Sequence, residues 1–141
     1  MEEDYGSAYG GGGAVENGIF NAFEDTKITD NTAKVEGDYA RAYGGGVAVG
    51  VAVLEYGTFN ATATTITGNT AKVEGDYARV EGGGVAVLEF GTFNATATTI
   101  TGNTAEVESE AAGVEGGGVA VLGGTLNAES VEFSGNTCLL Y

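Results

Sequence analysis

The sequence predicts an all-β chain wound as a parallel β-helix, a β-solenoid of about four coils with a long acidic excursion in each coil. Three observations predict it. The fifteen residues GTFNATATTITGNTA occur twice without change, at 57–71 and 91–105, a step of 34. An asparagine in a DNT or GNT element recurs as Asn31, Asn69, Asn103 and Asn136, at intervals of 38, 34 and 33 residues. A glycine-rich run followed by Ala-Val recurs at 10–15, 44–49, 82–87 and 116–121. Units this short cannot bury an apolar face alone, so they must stack. The boundaries fall near 1–31, 32–69, 70–103 and 104–141, within one domain spanning 1–141.

Each unit opens on its glycine run, which supplies backbone able to take positive φ at a corner. The VAV segment that follows, then GTFNA, then TTIT, alternate in twos and are rich in β-branched and aromatic residues, so they read as short strands. In the unit beginning at Gly82, the alternation turns Val85, Val87, Phe93, Ala95 and Ile100 inward and Asn94, Thr99 and Thr101 outward. The phase changes between Ala95 and Ile100, which requires a corner at 96–98 and predicts three strands per coil. The four extra residues at 50–53 (GVAV) repeat the preceding strand and explain the one long step. Stacking turns Asn31, Asn69, Asn103 and Asn136 into an asparagine ladder at a corner, each amide bonding the next, with the asparagines themselves in the left-handed conformation. The charged segment between each asparagine and the next glycine run, NTAKVEGDYAR in two copies, is too long for a corner and reads as an excursion. Asp4-Tyr5 aligns with Asp38-Tyr39 in that segment.

Composition narrows the function. With 20 acidic against 5 basic residues, the formal charge is −15, which excludes nucleic acid and anionic membranes as partners because both need a basic footprint. Apolar runs fall well short of the roughly 18 residues of a membrane span, and the first ten residues lack the basic and apolar regions of a signal peptide. The single cysteine, Cys138, reads as a free thiol near the chain end.

The glycine run with Ala-Val, the Thr-rich strand and the ITDN, ITGN and Phe133-Ser134-Gly135-Asn136 elements together resemble the GGA(I/V) and FxxN repeats of polymorphic outer-membrane and related parallel β-helix proteins. Only the last unit carries a literal FxxN; Ile28, Ile66 and Ile100 replace Phe in the others. The resemblance covers nearly the whole chain. It implies a right-handed helix and an extracellular or cell-surface setting, and it does not extend to a transporter barrel or a signal sequence.

Catalysis is not expected. There is no histidine, and Lys27, Lys34, Arg41, Lys72 and Arg79 mostly recur at equivalent positions, whereas a catalytic site is a unique constellation. A polysaccharide lyase or epimerase is the weakest reading. An ice-binding or adhesin surface would use the outward Thr65, Thr67, Thr99 and Thr101, although Lys27 and Glu132 interrupt that array at its two ends. The favoured reading is a structural one, a fibre or filament subunit stacking head to tail on itself, since no polar cap is visible and CLLY is apolar. Carbohydrate is a further expected partner. Asn60 and Asn94 carry the N-x-S/T matches and point outward, so glycans are expected there and not at Asn21 or Asn127. No other cofactor is expected. Glu36, Asp38, Glu74 and Asp76 would stack like charges, and weak calcium binding there is the alternative to simple solvation.

Overall fold

The computed structural model describes residues 5–15, 18–49, 56–109 and 111–141. Those residues form strands and turns only, and the strands wind into a parallel β-solenoid of four coils. The first coil holds β1 (Tyr5–Tyr9), β2 (Gly13–Val15), β3 (Gly18–Ala22), β4 (Lys27–Thr29) and β5 (Thr32–Glu36). The second holds β6 (Tyr39–Tyr43), β7 (Val47–Val49), β8 (Gly57–Thr62), β9 (Thr65–Thr67) and β10 (Thr70–Glu74). In the third are β11 (Tyr77–Glu81), β12 (Val85–Val87), β13 (Thr92–Thr96), β14 (Thr99–Thr101) and β15 (Thr104–Glu108). The last comprises β16 (Ala111–Glu115), β17 (Val119–Val121), β18 (Thr125–Glu129), β19 (Glu132–Ser134) and β20 (Thr137–Leu140). Each strand pairs in register with its counterpart one coil away, giving five parallel four-stranded sheets.

Three of these sheets enclose the main core, as the alternation requires. Val85, Val87, Phe93, Ala95 and Ile100 are all buried there, together with Val47, Phe59 and Ile66. Phe20, Phe59 and Phe93 stack face to face with centroids 5.1 and 4.9 Å apart. Their planes are within 12° and 4° of parallel, so the repeat places one ring on the next.

A coil has five strands, not the three predicted. The excursion is two regular strands, TAKVE and YARVE or their variants, and these build two further sheets packed face to face. Ala71, Val73, Ala78, Val80, Ala105 and Val107 form a separate core between them. Small side chains let the two sheets approach closely, and the Lys and Glu residues that suggested a solvated loop lie on the other face of the same strands. The register pairs Tyr5 with Tyr39, in agreement with the predicted alignment. Asp4 and the 50–53 insertion lie outside the described residues.

The glycine run joins the two cores. Gly44 has φ 61°, in the left-handed region. A Cβ on Gly45 would sit 2.3 Å from the Gly83 carbonyl oxygen and 2.4 Å from the Thr70 carbonyl carbon, so only hydrogen fits where the chain passes between coils.

Candidate functional site

The polar groups of this molecule are arranged in columns, one member per coil, and the columns are where function must be sought. Asn69 and Asn103 are fully buried. Asn31 donates through Nδ2 to Asn69 Oδ1, Asn69 to Asn103 and Asn103 to Asn136, each at 2.9 Å. The backbone N–H groups of Asn31, Asn69 and Asn103 donate to the same oxygens at 3.0–3.1 Å. The remaining amide hydrogens turn back to the carbonyls of Ile28, Ile66 and Ile100. The ladder is therefore present and satisfied. Its residues are not left-handed, however. Positive φ belongs to the residue before each asparagine, Asp30, Gly68, Gly102 and Gly135. The glycine or aspartate turns the chain, which frees the asparagine to point inward.

A second asparagine column lies on the outer face of the β3-β8-β13-β18 sheet, and single-sequence reasoning did not anticipate it. Asn60 Nδ2 donates to Asn21 Oδ1 at 2.8 Å, Asn94 to Asn60 at 2.7 Å and Asn127 to Asn94 at 2.8 Å. Both sequon asparagines are thus ladder members. Their amide nitrogens each have one hydrogen committed and one left. The recurrence of NA in all four units was the available signal.

On the adjoining sheet, Thr65 pairs in register with Thr99, and Thr67 with Thr101, all partly exposed. Thr67 and Thr101 share a hydrogen bond of 3.2 Å between hydroxyls. Register places Lys27 beside Thr65 and Glu132 beside Thr99, so the two interruptions stand at opposite ends of one column. At the corner between these sheets, Thr64 and Thr98 are buried and donate to the carbonyls of Ala22 and Ala61 in the preceding coil.

The acidic candidates sit on the two-sheet lobe. Lys34 pairs with Glu36 and, at 3.3 Å, with Glu74; Lys72 reaches Glu74 at 3.3 Å, Glu106 at 3.0 Å and Glu108 at 2.8 Å. The hydrogen bonds Lys72 donates to Glu108 and Glu106 hold its ammonium well above the usual lysine range, and those donated by Lys72 and Lys34 lower the Glu74 carboxyl. Lysines thus separate the stacked carboxylates of Glu36 and Glu74. Among the described residues, no group of three or more His, Cys, Asp or Glu side chains is placed to hold a metal ion.

The opposite face of the lobe forms an open cleft of about 670 Å³ lined by Gly6, Ser7, Tyr39, Arg41, Tyr77 and Arg79. The Tyr39 and Tyr77 rings stack with centroids 5.0 Å apart. Both arginines of the chain lie here, but Arg79 is engaged by Glu81 and, at 3.8 Å, by Glu115, which offsets the positive charge. Glu81 is wholly buried, with neither oxygen accepting a hydrogen bond of good geometry. Burial pushes its carboxyl up from the ordinary range, the Arg79 charge pulls it down and Glu115 raises it further.

Comparison with family models finds no match, and neither curated protein sequences nor solved structures show a similar chain. The likeness to outer-membrane β-helix repeats therefore rests on the motifs alone, while the solenoid itself is shown by the strand pairing. No helix among the described residues is long and apolar enough to cross a membrane.

Proposed function

We propose that the chain is a non-catalytic structural protein, a stackable β-solenoid subunit of an extracellular fibre or cell-surface filament that joins end to end with copies of itself. The observation that carries this reading is the contrast between internal and terminal members of one column. Phe59 and Phe93 are 0 % exposed, while Phe20 in the first coil is 38 % exposed; Ile66 and Ile100 are 0 % exposed, while Phe133 in the last coil is 48 % exposed. The first and last coils also leave one edge of every sheet unpaired, and open edges with apolar surface template further strand addition. The column chemistry supports a structural role as well, since the asparagines of both columns, and Thr67 with Thr101, bond to their own counterparts. Light scattering across a dilution series, with electron microscopy of the same sample, tests the proposal: reversible rods support it, and a monomer at every concentration contradicts it.

Glycans on Asn60 and Asn94 belong to the same reading. The free amide hydrogen of each can be replaced while the ladder bond is kept, but adjacent coils stand only about 4.8 Å apart. That spacing favours one occupied sequon per molecule. Intact-mass measurement on material from the native source should show a single glycan, and unmodified chains would remove this part of the proposal.

A second reading is favoured by the Thr65, Thr67, Thr99 and Thr101 array beside the outer asparagine column, which together present a regular field of hydroxyls and amides. Such a field would suit a repetitive ligand such as ice or a carbohydrate chain. Thermal hysteresis or pull-down on insoluble polysaccharide, lost on Thr67→Lys and Thr101→Lys, would support it; inactivity of the unaltered chain in both assays would dismiss it.

A further inference from the structure

Resting on the self-association reading above, we propose that copies join in one polarity only, last coil on first coil, and that Glu132 of one copy pairs with Lys27 of the next across that junction. The column Lys27, Thr65, Thr99, Glu132 carries opposite charges at its two ends. Three coil steps keep these two residues apart within one chain. Continuing the β4-β9-β14-β19 sheet into a second copy makes them nearest neighbours, at the cross-strand spacing of about 4.8 Å where opposite charges attract. Both side chains are exposed, and Lys27 has no carboxylate partner among the described residues. Among the described residues, Glu132 accepts only from the Ser134 hydroxyl, at 3.2 Å.

The two asparagine columns independently select the same polarity, because they run in opposite directions. The inner ladder donates from each coil to the next, so it ends on an Asn136 amide with no ladder acceptor and begins on an Asn31 carbonyl oxygen with no ladder donor. In the outer ladder each coil donates to the one before, leaving an acceptor at Asn127 and a donor at Asn21. Placing the last coil on the first matches donor to acceptor in both columns. It also sets Leu126 on Phe20 and Phe133 on Ile28, in line with the columns they terminate. A first-on-first or last-on-last contact would run the strands antiparallel and give neither asparagine column its complement.

Charge exchange tests the pair. The unaltered protein, Lys27→Glu, Glu132→Lys and the double exchange are compared by the critical concentration for assembly. Each single substitution sets like charges together and should raise that concentration about tenfold, while the double exchange restores it to within about threefold. The singles change net charge in opposite directions. If Glu132→Lys assembles more readily than the unaltered chain, general repulsion governs and the pair is refuted. An unaltered chain that assembles with both singles unaffected overturns the pair alone, whereas an unaltered chain that never assembles overturns the self-association reading itself. Polarity has a separate readout. Ala33 and Cys138 terminate one column, and in-register neighbours lie within disulfide reach. Oxidised Ala33→Cys protein should give a ladder of covalent oligomers on a non-reducing gel; covalent dimers alone would show last-on-last contact and refute the proposal.

Discussion

At the scale of single residues, the fold asks some positions to adopt backbone shapes their side chains resist. Ala63 and Ala97 both have φ 48°, at the corner after β8 and β13. A left-handed alanine costs roughly 1–2 kcal/mol, and glycine gives part of that back through its larger unfolded-state entropy. Ala63→Gly and Ala97→Gly are therefore each expected to stabilise the protein by up to about 1 kcal/mol, measurable as a rise in Tm. Glu81 is the opposite case, a side chain at odds with its surroundings. Its carboxyl is raised from the ordinary 4.5 chiefly by burial, so the folded state binds the proton more tightly than the unfolded one. Stability is fullest below the ordinary value and falls as pH rises from there through the raised value. Glu81→Gln should abolish that fall, as denaturation at several pH values would reveal; an unchanged pH profile would contradict it. Neither feature was legible in the sequence. Alternation gives the face of a residue, and both Ala63 and Glu81 owe their condition to what the neighbouring coils place around them.

The ladder is the element in which this chain stores its specificity. Asn69 accepts two hydrogen bonds from Asn31 and donates to Ile28 and Asn103 while fully buried. Asn69→Ala strands these partners away from water and should cost about 2–4 kcal/mol, whereas Asn60→Ala, in the outer column, should cost under about 1 kcal/mol. Comparable losses at the two positions in chemical denaturation would mean that burial does not separate the columns. The inner ladder was legible because Asn recurs beside a turn residue in every unit. The lobe was not, because the charges of TAKVE and YARVE drew attention from the Ala and Val that alternate with them. Its Glu36, Glu74, Glu106 and Glu108 carboxylates are met by lysines, so calcium should leave Tm unchanged, and a calcium-dependent rise would show that the lysines yield to a cation. Glu74, whose carboxyl is lowered by Lys72 and Lys34, contributes stability that is present above 4.5 and lost as pH falls through its depressed value. Lys34 and Lys72, raised by their glutamate partners, act at the other extreme, losing their contribution as pH rises through their elevated values.

For the whole molecule, the repeat that makes the fold legible also makes function hard to read. A motif present in every coil cannot single out a site, so Asn60, Asn94 and the threonine array follow from the architecture whatever their further use. What differs from coil to coil is informative instead: Lys27 and Glu132 break the threonine column, and Phe20 and Phe133 carry core columns into solvent. Those departures concentrate at the two ends, where the assembly proposed above would join one copy to the next. The most direct measurement is diffraction or cryo-electron microscopy of assembled protein at high concentration. The account predicts unbranched filaments one solenoid wide, with a strand spacing of about 4.8 Å along the filament axis and a subunit rise of about 19 Å for four coils. Filaments with strands lying along the axis, or a monodisperse monomer, would contradict it.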